Sequence, residues 1–503
     1  MKPPVRGQIT NPVALGGIFL FLLLCATNVL ANPLSGPLGI EVQSGDQVRL
    51  NKQIFGSNIA DAAGYPTIGS VDFEKLFAEV KPSILRFPEG EHANFYHFEI
   101  DDFHEDELST ASPKLTQRIR NVFKRRRIKK NSLSFDQFMG VCRKEGIEPV
   151  VIVNLFTGSP EESGRWVKYA KDKGYKIKYW ELGNELYAEP YRNKFPDVAS
   201  YIRQAKMHAA KMREADPSIQ ISVCATHYGF REGEWGSFGR FLLKWDEGLA
   251  KETFFDAYSV HWYVFLHKVL EERGQGLANF VFAQAQGRYV KSRAYYKRLY
   301  KNKPVWISEW NLLPMQNPAA NTLIHALYCG LVMINMVNDS EWIELANYYV
   351  LSRVGYGFPL FSPKTQQEPS EVNHLVKRTN FISFEIFNWA FSNSNSIYST
   401  RIASDIKQGL LVTCVGTEQK KYVFVLNLTS KLLSPQINVD GQPMTGDVDI
   451  QYLSNPDFEA TNGGNTFIPQ GNRERVMLKH YHGPLAEFNI PAHFLGAIEI
   501  QSR

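Results

Sequence analysis

The chain has 503 residues, 44% of them apolar and 13% aromatic, with a formal charge of +5. That composition excludes a disordered chain, and without a recognisable reading module a nucleic-acid partner is not expected. The length exceeds the ~250–300 residues at which one core stops growing, so a large domain with a smaller one beside it is expected.

Lys2 and Arg6 precede the apolar run Val13–Ala26, and Val29-Leu30-Ala31 offers the small-residue pattern of a cleavage site. Residues 1–31 therefore read as a cleavable signal peptide, and the protein as secreted or periplasmic. A retained anchor is the alternative, but the run falls short of the ~20 residues a spanning helix needs. No later segment is long and apolar enough, so no stable membrane insertion is expected. Cys142, Cys224, Cys329 and Cys414 sit in apolar or strand-like settings without metal-ligand spacing and read as buried free thiols. Asn338-Asp339-Ser340 and Asn427-Leu428-Thr429 fit the glycosylation pattern. Nothing in the sequence sets the oligomeric state.

The alternating strands Leu38–Leu50, within residues 32–51, are expected to join a C-terminal sheet. From residue 52 to 383, eight short β-rich runs alternate with helical stretches, the pattern of a (β/α)8 TIM barrel. The runs are Ile54–Ile59, Ser83–Phe87, Pro149–Asn154, Ile177–Leu182, Gln220–Ala225, Asp256–His261, Pro304–Ser308 and Trp342–Val350. Helices are expected over Asp72–Val80, Ser134–Lys144, Pro160–Lys173, Pro196–Ala215, Arg288–Tyr300 and Ala319–Val337. Ser159 as N-cap, Pro160 in the first turn and Glu161 and Glu162 at the positive end of the dipole mark one helix start. The basic run Lys124–Lys130 reads as a solvated helix end or loop, or as a contact for an anionic polysaccharide. From 384 to 503, β-branched and aromatic alternation with turns such as Asp440-Gly441 reads as an accessory antiparallel β-sandwich.

Reactive residues in such barrels sit at the C-terminal ends of strands. Glu185 follows the fourth run and Glu309 ends the seventh, and two opposed carboxyl groups are what glycosidic hydrolysis requires. Glu185 is the candidate acid/base and Glu309 the candidate nucleophile. Asn184 can bond the sugar hydroxyl beside the reacting carbon, and Arg86, ending the second run, can hold Glu309 ionised. His261 and Tyr263, after the sixth, can complete the hydrogen-bond shell. Taken singly, an Asn-Glu pair is a cap, Arg86 an ion-pair partner of Glu89 or Glu91, and His261 a core histidine. Joint placement on one barrel favours the catalytic reading. Neither metal nor organic cofactor is expected, and the partner is a polysaccharide or oligosaccharide.

The stretches Val153–Glu162, Trp166–Tyr169 and Lys178–Glu185 resemble retaining glycosidases of clan A, and most closely the α-L-arabinofuranosidases of family fifty-one. Leu85-Arg86-Phe87-Pro88, His261-Trp262-Tyr263 and Ser308-Glu309-Trp310-Asn311 agree with the same family. The resemblance implies a barrel-plus-sandwich layout, retaining hydrolysis of a glycan, and substrate contacts from Asn94 and Trp310. It departs in two places. Where the family carries Pro-Gly-Gly-Asn, this chain reads Pro88-Glu89-Gly90-Glu91-His92-Ala93-Asn94, and the family's sugar-binding glutamate after strand one is missing, with Asn58 or Asp61 as substitutes. A heparanase-like or exopolysaccharide-cleaving enzyme is the alternative within the class, and a non-catalytic carbohydrate-binding barrel the alternative outside it. The loops after strands one, two and eight set the sugar and linkage.

Overall fold

The computed structural model describes residues 36–59, 71–129, 133–226, 236–314, 316–352, 359–363, 375–404, 408–463 and 471–501. The expected leader and Asp61 lie outside the described residues. After strand β1 (Gly36–Arg49), eight parallel strands close into a barrel. They are β2 (Gly56–Asn58), β3 (Ile84–Phe87), β4 (Glu148–Val153), β5 (Tyr179–Leu182), β6 (Gln220–Cys224), β7 (Ala257–Phe265), β8 (Val305–Leu313) and β9 (Ile343–Tyr348), which pairs back onto β2. Ile84, Val150, Tyr179, Ala257, Trp306 and Leu345 form a separate buried cluster of inward-pointing side chains that plugs the barrel.

The helices around it are α1 (Val71–Val80), α2 (Pro113–Lys129), α3 (Phe135–Glu145), α4 (Pro160–Asp172), α5 (Val198–Ala215), α6 (Gly236–Leu249), α7 (Gly274–Tyr300), α8 (Leu323–Asn338) and α9 (Thr379–Ser392). In α4, Ser159 Oγ accepts from Glu162 N at 3.1 Å, Pro160 stands in the first turn, and Trp166, Val167 and Ala170 are buried. In α3, Ser134 and Gln137 form a reciprocal capping box and Gly146 ends the helix in the left-handed region.

Several elements differ from the sequence expectation. The helix expected to start at Arg288 begins at Gly274 and carries Gly276 and Gly287 within it. α6 has no counterpart among the expected helices. α2, inserted between β3 and α3, likewise has no counterpart there, although the basic run at its end is the helix end that the sequence suggests, with Lys124 exposed. The boundary placed at 383/384 falls inside α9, and the next strand starts only at Ser396.

A short hairpin of β10 (Phe361–Pro363) and β11 (Leu375–Lys377) precedes α9. The remaining strands are β12 (Ser396–Ile402), β13 (Leu410–Gly416), β14 (Lys420–Asn427), β15 (Leu433–Val439), β16 (Gln442–Pro443), β17 (Asp447–Ser454), β18 (Lys479–Pro484) and β19 (Phe494–Gln501). With β1 they make one curled nine-stranded sheet, in the order β16-β15-β1-β12-β13-β14-β19-β17-β18. β1 runs antiparallel to β12 and parallel to β15, so the first and last described parts of the chain share one sheet.

Strict alternation lets β14 serve two cores. Val423 and Val425 face a core internal to the sheet, while Tyr422, Phe424 and Leu426 face the helices of the barrel. Phe424 stacks on Phe387 of α9 with ring centroids 4.3 Å apart. The four expected thiols are free and buried. Asn427 has no exposed surface and donates to Lys431 O and Pro491 O, at 2.9 and 2.8 Å, and Asn338 donates to Val412 O, so both sequon amides are engaged in the folded chain. Among the described residues no helix is long and apolar enough to cross a membrane.

Because Phe424 ties sheet to barrel, Phe424→Ala is expected to cost about 3–5 kcal/mol. Thermal unfolding followed by calorimetry checks this, and a loss under about 1 kcal/mol would show that the ring is not a joint between the two parts.

Candidate active site

The inner wall of the barrel gathers charge at its C-terminal end. On β3, Ile84 and Arg86 point inward, while Leu85 and Phe87 pack outward, Phe87 against Phe138 of α3. Arg86 has no exposed surface, and all five of its N–H groups are used. Nε and Nη2 donate to Glu181 Oε2 at 3.0 and 2.9 Å, and Nη2 also donates to Asn184 Oδ1 at 2.8 Å. Nη1 donates to Asn58 Oδ1 at 3.0 Å and Glu309 Oε1 at 2.9 Å. Burial disfavours the charge, but Glu181 and Glu309 outweigh it and raise the guanidinium further above its ordinary value.

Glu309 reaches the interior through an irregularity. Trp306 faces the barrel core and Ile307 faces the helices, so simple alternation would turn Ser308 in and Glu309 out. Instead β8 carries one extra residue: Val260 pairs with Ile307 but His261 with Glu309, and the register with β9 also shifts after Ile307. This bulge aims Glu309 inward. Both β7 and β8 continue past the expected ends, so His261, Tyr263 and Glu309 stand within strands rather than after them.

Glu185 is held differently. Leu182 O accepts from Tyr201 Oη at 2.9 Å, and Gly183 turns the chain at φ +80°, where a Cβ would collide with Leu186 Cδ1. Glu185 itself adopts φ +48°, a left-handed conformation that costs a side-chain-bearing residue on the order of 1 kcal/mol. The price is borne at the point where a carboxylate leaves the strand end.

The two glutamates meet at His261. Its Nδ1 lies 2.6 Å from Glu185 Oε1 and 3.5 Å from Glu309 Oε2. Those two oxygens are therefore no further apart than the sum of the distances, about 6 Å. Inverting pairs stand about 6.5–9.5 Å apart and retaining pairs about 5–5.5 Å. Tyr263 Oη donates to Glu309 Oε2 at 2.6 Å, and burial beside Glu309 pushes its pKa well up, so it stays a donor. A third of the Glu185 side chain is open to solvent, against 8% for Glu309.

Burial pushes Glu185 up, but the His261 charge and hydrogen bond, with Arg86, overcome it and hold the carboxyl below its ordinary value. Burial pushes His261 down, while Glu309 and then Glu185 overcome it and raise the imidazole. The resting proton thus sits on the histidine side of a Glu185–His261 pair that titrates as a unit.

The structure separates the other candidates. Asn184 turns Oδ1 to Arg86, which leaves its Nδ2 on the other side of the amide. Asn94 is fully buried and binds the Asn184 backbone at both ends of its amide, Nδ2 to Asn184 O at 2.7 Å and Oδ1 from Asn184 N at 2.9 Å. It positions that loop. Trp310, expected as a substrate contact, faces the other way. One residue beyond Glu309, it packs between Tyr328 of α8, Tyr348 and Phe384 of α9 with 1% of its surface exposed. Its counterpart Trp262 stacks on Tyr289 of α7.

Sequence reasoning missed Glu181, whose signal was an inward charge two residues after the inward Tyr179. It also missed Tyr187, which donates to Glu185 Oε1 at 3.4 Å. Arg86 pairs with Glu181 and Glu309, not with Glu89 or Glu91. Glu89 lies beside His92, and Glu91 pairs with Arg118 of α2. Burial pushes Glu91 up against the pull of Arg118, and the charges of Glu185 and Glu309 push it the same way.

No family model matches the chain. It is 24% identical to α-L-arabinofuranosidase C of Emericella nidulans over 220 residues, 41% of this chain and 38% of that protein. It is also 24% identical to the intracellular exo-α-(1→5)-L-arabinofuranosidase of Acetivibrio thermocellus over 322 residues, 55% of this chain and 59% of that one. The match thus spans 38% and 59% of the length of these two curated relatives, less than two thirds of either. Among solved structures, the α-L-arabinofuranosidase of Thermotoga maritima superposes with a TM-score of 0.67 at 16% identity, over 92% of this chain and 100% of that one. The family 44 xyloglucanase of Paenibacillus polymyxa gives 0.58 at 9% identity, over 93% and 100%. The fold is therefore the barrel with an appended β-sheet domain seen in family 51 arabinofuranosidases. The particular resemblance expected from the sequence is to that same group of proteins.

The paired proton predicts a pH response. His261, raised above 6.5, adds stability that is complete below 6.5 and lost as pH rises through its folded value. Glu185, depressed below 4.5, adds stability present above 4.5 and lost as pH falls through its folded value. In His261→Gln the proton must reside on Glu185 alone, so the alkaline limb of kcat/KM is expected to move to lower pH. A pH–rate profile with an unmoved alkaline limb would sink this account of the proton's location.

Proposed function

We propose that the protein is a retaining glycoside hydrolase with arabinofuranosidase-like chemistry, acting on a polysaccharide or its oligosaccharides. The observation that carries this is the pair Glu185 and Glu309, bridged by one imidazole with oxygens within about 6 Å, at the mouth of a barrel of the family 51 type. A Glu309 oxygen attacks the anomeric carbon as the glycosidic C–O bond breaks, and the leaving oxygen takes the proton delivered through Glu185. Glu185 then removes a proton from water, which attacks the same carbon and releases Glu309. Two inversions give net retention. Arg86 and Tyr263 hold the nucleophile's oxygens, and Asn184 Nδ2 is placed for the hydroxyl beside the reacting carbon.

Replacing the two carboxylates should give different defects. Glu309→Gln is expected to lower turnover by roughly 10⁴-fold or more on every substrate. Glu185→Ala is expected to keep the first step on aryl glycosides with good leaving groups and to be rescued by azide with retained configuration. Steady-state kinetics and NMR of the azide adducts check this. Failure of the Glu185 rescue on an active wild-type enzyme would refute its role, and glycan binding without turnover would favour a non-catalytic barrel.

The sugar is set by less familiar contacts. Asn58 is engaged with Arg86 and with Ser308 O, and Asn94 with Asn184, so neither replaces the absent glutamate of the arabinofuranosidases. Simple arabinofuranosides should therefore be poor substrates. An aryl α-L-arabinofuranoside is expected to show kcat/KM below about 10⁴ M⁻¹s⁻¹, and a higher value would mean that other residues supply those contacts. The basic and apolar first residues support export. Sequencing the N-terminus of protein from the periplasm or medium tests that, with an intact Met1 counting against cleavage.

A further inference from the structure

The helix α2 is not one of the barrel's own elements. It is inserted in the loop after β3, on the catalytic side, and it packs one face inward: Leu115, Ile119 and Phe123 are buried, with Phe123 4.3 Å from Phe103 and edge-on to His92. The opposite face is exposed and carries Lys114, Arg118 and Lys124, with Gln117 and Asn121 between them, hydrogen-bonded at 3.0 Å. The sequence continues with Arg125, Arg126, Arg127 and Lys129.

This face adjoins the reaction centre. Gly90 is so close to the nucleophile that a Cβ on it would stand 3.9 Å from Glu309 Oε1, and the next residue, Glu91, pairs with Arg118. Half of the Arg118 side chain stays exposed while it does so. From Lys114 to Lys124 the helix runs about 15 Å, the length of a short oligosaccharide. A reaction centre of two carboxylates with a row of cations near it fits a chain with negative charge beyond the bond that is cut.

We infer that the exposed face of α2 is a binding subsite for an anionic glycan, bearing carboxylate or sulfate groups, and that it continues the catalytic cleft away from Glu309. The inference rests on the glycosidase reading for the place of the subsite beside a catalytic cleft but not for the binding. Lys114, Arg118 and Lys124 meet the acidic groups, and the Gln117 and Asn121 amides meet hydroxyls. The missing contacts to the reacting sugar are offset by contacts to the rest of the chain.

The test is calorimetry on the full chain carrying Glu309→Gln, with and without Lys114→Glu and Lys124→Glu. The probes are hexagalacturonate, a sulfated heparin hexasaccharide and neutral arabinohexaose. At least one anionic probe is expected to bind roughly tenfold more weakly to the charge-reversed protein. That difference should collapse at roughly 0.5 M salt, with the neutral probe unaffected. If charge reversal prevents folding, Lys114→Gln with Lys124→Gln and the salt dependence of the parent protein read the same effect. Equal affinity of both proteins for the anionic probes overturns the subsite. So does tighter binding of phosphatidylserine vesicles or single-stranded DNA than of any hexasaccharide. Charge-dependent binding with no hydrolysis by the wild-type protein removes the glycosidase reading alone, and hydrolysis indifferent to α2 charge removes the subsite alone.

Discussion

A guanidinium with no contact to water organises the centre of this molecule. Removing an ion from water costs several kcal/mol, and Arg86 recovers that only because each of its five donors meets an oxygen. The acceptors come from β2, from β5 and the turn beyond it, and from β8. One side chain therefore fixes the relative placement of three strands and orients both Asn184 and Glu309. Buried pairs of this kind are worth little against an apolar substitute of the same shape, yet losing one partner costs about 3–5 kcal/mol because the remaining charge is stranded. The cluster is thus a specification of geometry more than a source of stability.

Around that cation the charges are deliberately unbalanced. Arg86 and a protonated His261 face Glu181, Glu309 and Glu185, three carboxylates against two cations. A sixth charge is a short step away in Glu91, itself neutralised by Arg118. Moving the His261 proton onto Glu185 leaves the net charge of the cluster unchanged, and a general acid must carry that proton when substrate arrives. His261 sits against both glutamates, so it can hold the proton beside the nucleophile and pass it to the carboxyl that is open to solvent.

Much of this arrangement was legible in the chain. Short β-branched runs ending in carboxylates announce a barrel and its reactive face, because strand period and strand-end chemistry are both local. Other features were written less locally. The bulge at Ser308 inverts the parity of β8, and no propensity marks it. Once Glu309 is taken as inward, parity alone puts Trp310 outward. The motif resemblance hid that simple consequence. Leu115, Ile119, Val122 and Phe123 give α2 a helical stripe, but the density of Lys and Arg between them masked it. In α7 the glycines at 276 and 287 are weak helix formers that tertiary packing carries, with Tyr289, Tyr296 and Tyr300 holding the helix on the barrel.

Saturation of Arg86 has a consequence for recognition. With every donor engaged within the protein, the guanidinium offers nothing to a sugar, and Asn58 and Asn94 are likewise committed. Among the described residues, the Asn184 amide nitrogen, the Glu185 and Glu309 carboxyls and the loop after β3 stand beside that cluster. A pocket so constructed conserves its chemistry on rigid strands, where a misplacement of 1 Å would cost the rate, and leaves selection to an insertion that can change without disturbing them. Since a sugar hydroxyl without a partner costs about 1–3 kcal/mol, selectivity must come from contacts added outside the cluster. The subsite inferred on α2 is an insertion of that kind, outside the strands that carry the cluster.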